Sequence, residues 1–283
     1  MHQVPVRQEA LSKGRAFFSV SESSYRWVIL LVTTGSQATI ALLSQGMGTL
    51  APFIASDLDL NRAQVGMMGS TINFGMTFTA LLMGRAADLW GERLVLTAGG
   101  VLSGVSIMMA SRAGTFWSLV PLLLFTGLWV ATATPAGSKA ILSWFPPNRS
   151  GFALGARQTG IPLGGALAAL LLPAVALRFG WRTALVAGGW IAILGALACF
   201  AFYREAPEEP GGVSKNGPVS SLSKIIRIRG IWLVTFTGIT LVGVQFTMVN
   251  YLEVFLHEHL SMPVRTASYL LVAFQLAGVT GRI

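Results

Sequence analysis

Charged residues crowd into short clusters along this chain, and eight stretches between them carry none: residues 27–56, 63–84, 94–111, 113–138, 158–177, 183–203, 230–252 and 266–281. Each runs roughly 16 to 30 residues, and a helix rising about 1.5 Å per residue needs about 20 to cross the hydrocarbon of a bilayer. The stretches are rich in Ala, Leu, Gly and Met, with none of the apolar–polar alternation that a membrane barrel requires. One such stretch could equally be a buried helix of a large soluble protein. Eight in series could not, and the pattern predicts an all-α polytopic membrane protein.

The connections are short except for residues 205–229, where Glu205, Pro207, Glu208, Glu209, Pro210, Gly211, Gly212 and Lys215 form a polar, breaker-rich linker. This divides the chain into a tail (1–26), a six-helix N-terminal bundle (27–204), the linker, and the first two helices of a second unit (230–283). Sliding the second unit back by about 200 residues places Phe255 on Phe53 and Leu260 on Leu58, as expected of a parallel internal repeat. The Met262-Pro263-Val264-Arg265 turn then falls near Leu60-Asn61-Arg62. A complete second unit would hold six helices, so the chain is expected to be truncated after its eighth.

Composition agrees with the pattern: 53% of residues are hydrophobic and 11% charged, with a mean hydropathy of +0.65. The net charge of +9 is a topology signal. With the N-terminus placed in the cytoplasm, the inner segments receive Arg7, Lys13, Arg15, Arg26, Arg85, Arg93, Arg149, Arg204, Lys215, Lys224, Arg227, Arg229 and Arg282. The outer turns receive Arg62, Arg112, Arg178, Arg182 and Arg265, which fits the positive-inside rule for a cell-membrane protein. No nucleic-acid motif accompanies the basic excess. The tail lacks the apolar core of a signal peptide, and the single cysteine, Cys199, has no partner for a disulfide or thiolate metal site.

Between the second and third stretches the chain reads Gly84-Arg85-Ala86-Ala87-Asp88-Leu89-Trp90-Gly91-Glu92-Arg93. This resembles the loop signature of the major facilitator superfamily at Gly84, Asp88, Gly91 and Arg93, with Leu89 where a basic residue is usual and Glu92 where another is common. The short turn Phe179-Gly180-Trp181-Arg182, the link from Trp144 through Pro146, Pro147 and Arg149 to Gly151, and Gly281-Arg282 as the start of a second copy of the signature also resemble that family. The resemblance implies a six-plus-six helical fold, alternating access, and a gating loop of Gly84, Arg85, Asp88, Gly91 and Arg93 that latches the two halves. It implies as partners a small-molecule substrate, the lipid bilayer and a coupling ion such as a proton, with no cofactor and no nucleic acid. Two departures stand out. The arginine often found early in the family's fourth helix is replaced by the apolar run Leu122 to Phe125, followed by Thr126 and then Gly127. The fifth helix has Gly160-Ile161-Pro162-Leu163-Gly164-Gly165 in place of the antiporter glycine–proline spacing.

Ionisable residues inside spans are costly and therefore functional candidates. Arg157 lies about two turns into the fifth helix among small neighbours, where its guanidinium could grip a carboxylate with two prongs or reach back to the membrane surface. Lys139, one turn from the end of the fourth helix, reads as a snorkelling side chain. Gln37, Asn73, Thr134, Gln158, Gln245, Asn250 and Tyr251 are the polar residues at depth that could line a central cavity or glue helices together. Gly99, Gly100, Gly104, Gly160, Gly164 and Gly165 read as packing positions. His257-Glu258-His259 falls in an outer turn without the spacing of a helical zinc site, and no phosphate loop is present, so the chain is not expected to be an enzyme. These features point to a secondary active transporter of a small solute, with a small organic or inorganic anion as the candidate. The alternatives are efflux of amphipathic compounds, or a non-transporting fragment that needs a separate second half.

Overall fold

The computed structural model describes residues 20–206 and 227–282. Ten helices follow one another among them: α1 Val20–Leu58, α2 Arg62–Trp90, α3 Glu92–Ala110, α4 Phe116–Val130, α5 Ala133–Trp144, α6 Pro147–Gln158, α7 Gly160–Phe179, α8 Trp181–Phe202, α9 Arg229–Leu260 and α10 Val264–Thr280. Most of the 1–26 tail and of the 205–229 linker lies outside the described residues.

Two pairs of these helices are single spans interrupted by proline. Pro135 has no N–H for the carbonyl of Ala131, and α4 gives way to α5 at residues 131–132. Pro162 likewise leaves the carbonyl of Gln158 without its helical donor, and α6 gives way to α7 at Thr159. With these pairs joined, seven helices are long and apolar enough to cross a membrane. The eighth expected span is α10, whose 17 residues reach about 25 Å, short of a hydrocarbon core of about 30 Å. The chain is an all-α multi-pass integral membrane protein.

Several boundaries differ from the charge-free stretches because helices carry charges at their ends. α1 begins before residue 27, and α6 begins at Pro147, whose fixed φ suits a first helical position. α9 extends to Leu260, so His257 and His259 sit in its last helical turn and not in a loop.

The internal repeat reappears in the backbone. α1 ends at Leu58 and α9 at Leu260, and each is followed by a left-handed residue with φ of 52°, Asp59 and Ser261. A non-glycine residue in that region is uncommon, so the paired occurrence at the repeat offset marks one structural unit used twice.

The long helix α1 runs against α7, α8 and α9, while α10 lies along α7. A core of Leu42, Met47, Leu50, Ile72, Leu123 and Leu172 fills the half of the bundle remote from Gly91, and Ile29, Leu96, Trp144 and Tyr203 belong to a second cluster near that loop. Backbones approach closely at glycine. A Cβ on Gly75 would sit 2.6 Å from Leu124 O, one on Gly160 would sit 2.6 Å from Thr34 O, and one on Gly164 would collide with Ala38 O. Lipid tails are as apolar as leucine, so this close packing, more than apolar burial, holds membrane helices together. Gly164→Val is accordingly expected to destabilise the detergent-purified protein by about 1–3 kcal/mol, read as a fall in melting temperature, while Gly151→Ala, with open space around it, leaves the melting temperature unchanged. Equal melting temperatures for the two variants would contradict the α1–α7 contact.

Candidate functional site

The helix interruptions meet at a cavity of about 270 Å³ among α1, α2, the α4–α5 and α6–α7 breaks, and α9. Five of the eight residues anticipated from sequence line it: Gln37, Asn73, Thr134, Gln158 and Gln245. Ser44, Gln45 and Arg282 join them. The sequence pattern counts Arg282 among the inner segments, as the start of a second copy of the loop signature, and gives no sign that it reaches the cavity. Tyr251 does not reach this cavity; it stands over Gly66, beside a separate crevice lined by Pro52, Arg62, Phe255 and His259. Asn250 is in α9, but its side chain lies outside the described residues.

Arg157 lies behind the cavity wall. It is 1% exposed, the largest fully buried side chain among the described residues. One terminal nitrogen donates to Gln37 Oε1 and to the carbonyl of Ala133 just past the α4–α5 break, and the other donates to Ser138 Oγ at 3.4 Å. Gly137 makes the room, since a Cβ there would collide with the guanidinium. These contacts hold Arg157 inside the bundle, with its Nε left buried and without a partner, and it does not snorkel.

Arg282 fills a parallel role from the end of α10. Its Nη2 donates to Gln245 Oε1 at 3.0 Å and its Nη1 to the carbonyl of Gln158 at 3.3 Å, the carbonyl that Pro162 freed. Each guanidinium therefore holds the oxygen of one cavity glutamine. Deeper between α1, α7 and α10, Gln275 donates to Gln45 Oε1 at 2.5 Å and Gln45 to Ile161 O at 2.8 Å. Asn73 Oδ1 and Gln158 Oε1 are buried without partners.

At the Gly91 end, a one-residue turn with φ of 83° joins α2 to α3. Lys139 reaches the loop, its Nζ 2.8 Å from Asp88 Oδ1 and 3.3 Å from Glu92 Oε1. Arg93 donates from Nε and Nη2 to Phe200 O at 2.9 and 2.7 Å, and its backbone N–H donates to Glu205 at 3.2 Å. Gly84 faces Pro135 on α5, and Arg85 follows it at the same end of α2. The Glu205 carboxyl is pushed up to about 7, first by burial and then by its hydrogen bond with Glu92. On the opposite face, Asp57 joins α1 to α8, accepting from Arg182 Nη1 at 2.6 Å and Trp181 Nε1 at 3.0 Å.

Interrupted membrane helices around a polar cavity, with an internal repeat and a glycine-hinged charged loop, define a class of polytopic membrane proteins. Within it the chain belongs to the Major Facilitator Superfamily, whose family model matches residues 33–283. An uncharacterised transporter of this type from Mycobacterium tuberculosis strain H37Rv is 27% identical over 258 residues, 91% of this chain and 57% of that protein. The hexuronate transporter of Bacillus subtilis is 30% identical over 56% of the chain and 38% of its own length. The 4-hydroxybenzoate transporter PcaK of Pseudomonas aeruginosa is 31% identical over 62% and 39%. The fold is similar to that of a bacterial homologue of the human lysosomal transporter Spinster, solved in an inward-facing, unoccupied conformation, with a TM-score of 0.69 at 19% identity over 86% of this chain and 58% of that one. This chain spans little more than half the length of the first of these relatives. The relatives are transporters and not enzymes.

The Glu205 carboxyl gives a pH signature. A carboxyl raised from an ordinary 4.5 to about 7 adds stability below the ordinary value and loses it as pH rises through 7, because the folded chain holds the proton more tightly. The melting temperature of the protein should fall between pH 5 and pH 8 relative to that of Glu205→Gln. Parallel curves would contradict the carboxyl pairing.

Proposed function

We propose that this chain provides the central cavity of a secondary active transporter that carries a small organic anion across the cell membrane by alternating access. In this reading residues 27–204 are the first helical bundle, 230–283 begin the second, and the N-terminus is cytoplasmic, as the lysine and arginine distribution supports. The observation that carries the proposal is the pair of guanidiniums at the cavity, Arg157 buried behind Gln37 and Arg282 in the wall. Buried positive charge is expensive in a membrane protein, so two such groups beside one small polar cavity favour an anionic solute. The similarity to hexuronate and 4-hydroxybenzoate transporters supports the same class.

In the proposed cycle Gln37, Asn73, Thr134, Gln158 and Gln245 face the solute. The Gly84, Arg85, Asp88, Gly91 and Arg93 loop gates the side bearing Glu205, held in one state by Asp88–Lys139. A proton is the proposed coupling ion, as in the xylose–proton symporters with a similar fold.

Uptake into proteoliposomes tests this reading, with 4-hydroxybenzoate, galacturonate and uncharged xylose as probes. Wild type is expected to accumulate a carboxylate and not xylose, and Arg157→Ala to lose most carboxylate uptake at normal expression. No carboxylate uptake by wild type, or uptake of xylose alone, would sink the anion reading, whereas carboxylate uptake unchanged by Arg157→Ala would remove Arg157 from it.

A further inference from the structure

Of the two guanidiniums at the cavity, only one is available to a solute. Arg157 is spent on Gln37, Ala133 and Ser138 and does not line the cavity, whereas Arg282 does. The consequence of Arg157's grip falls on Gln37. With its amide oxygen held from behind, that side chain has only its NH₂ left to present, a donor. Arg282 does the same to Gln245. The wall therefore carries an excess of donors: the remaining guanidinium N–H groups of Arg282 and two oriented amide NH₂ groups. Two acceptors, Asn73 Oδ1 and Gln158 Oε1, are buried without partners in the same wall. Donors clustered around a guanidinium match a carboxylate, and lone acceptors match a hydroxyl.

Building on the transport reading above, we propose that the cavity selects a small hydroxylated monocarboxylate. The carboxylate is held by Arg282 and the Gln37 amide, the hydroxyl donates its one proton to Asn73 Oδ1, and Arg157 acts as a positioning residue through Gln37. The volume of about 270 Å³ equals about nine waters at about 30 Å³ each, enough for a solute of roughly that many non-hydrogen atoms. Arg282 waits on the Gln158 carbonyl at 3.3 Å, a longer contact than its bond to Gln245. That carbonyl is available only because residue 162 is proline. An arriving carboxylate replaces it as the partner of Nη1, a charge-assisted bond in exchange for a neutral acceptor.

The test uses matched probes on the protein in proteoliposomes: 4-hydroxybenzoate against benzoate, and 4-hydroxycyclohexanecarboxylate against cyclohexanecarboxylate. In at least one pair the hydroxylated acid should show a KM lower by about tenfold, the scale of one buried hydrogen bond. Asn73→Leu should shrink that ratio. Arg282→Gln should raise the KM of both acids of that pair by more than about tenfold, with Arg282→Lys in between. Pro162→Ala returns an N–H to the Gln158 carbonyl, so it should lower KM in the wild-type background and leave KM unchanged beside Arg282→Gln. Arg157→Lys and Gln37→Ala should each raise KM with little change in maximal rate, and together no more than either alone. A monodisperse elution profile for each variant separates these effects from misfolding. If wild type takes up no carboxylate, the transport reading fails. If it takes up carboxylates with equal KM within both pairs, or if Arg282→Gln leaves KM unchanged, this assignment alone is overturned.

Discussion

A guanidinium buried in the middle of an apolar bundle sets the terms for everything around it. Arg157 is 1% exposed, and an uncompensated charge at such depth would cost several kcal/mol or more. It survives because two elements converge on it. α1 supplies Gln37, the start of α5 supplies a carbonyl at Ala133 and further along Ser138, and Gly137 stays without a side chain to make room. Removing any one of these leaves charge or a donor unpaired, so the relative placement of α1, α5 and α6 is fixed by one side chain. The Gly160 and Gly164 contacts to α1 bring the helices close enough for the reach.

The same logic explains the breaks. No water is available inside a bilayer to satisfy a backbone group released by proline, so each interruption must be paired within the protein. Pro162 releases the Gln158 carbonyl, and Arg282 from α10 satisfies it. At the other break Arg157 takes the carbonyl of Ala133, two residues past the Ala131 carbonyl that Pro135 frees. Polar side chains and helix breaks thus occur together because each supplies what the other lacks, and the place where they meet is the cavity. At the Gly91 end a different economy holds: Lys139, Asp88, Glu92 and Glu205 share charge near the membrane surface, where a change in protonation is affordable and a change in conformation can follow it.

The fold was largely legible in the sequence because charge is so costly in lipid that the spans reveal themselves as gaps. Helix ends were less legible, since Arg149, His257 and His259 lie on helices that extend past the apolar zone. The repeat was visible as Phe53 and Phe255, and the left-handed pair Asp59 and Ser261 turned a loose coincidence into geometry. Among the site residues, Gln37, Asn73, Thr134, Gln158 and Gln245 stood out as polar side chains at depth. Arg282 did not, because its position follows from where α10 packs against α7, a tertiary fact with no local mark. The pairing of Lys139 with both Asp88 and Glu92 was hidden for the same reason: snorkelling and ion pairing look alike until the facing helix is known.

In the proposed transporter the polar cavity at the helix breaks receives a carboxylate while Arg157 stays buried behind it. The most direct measurement is a density map of the protein with 4-hydroxybenzoate or galacturonate bound. The account predicts carboxylate density between Arg282 and the amide of Gln37, with Arg157 still bonded to the Gln37 oxygen. Ligand density in the crevice of Arg62 and His259 instead, or Arg157 turned out toward lipid or the membrane surface, would contradict it.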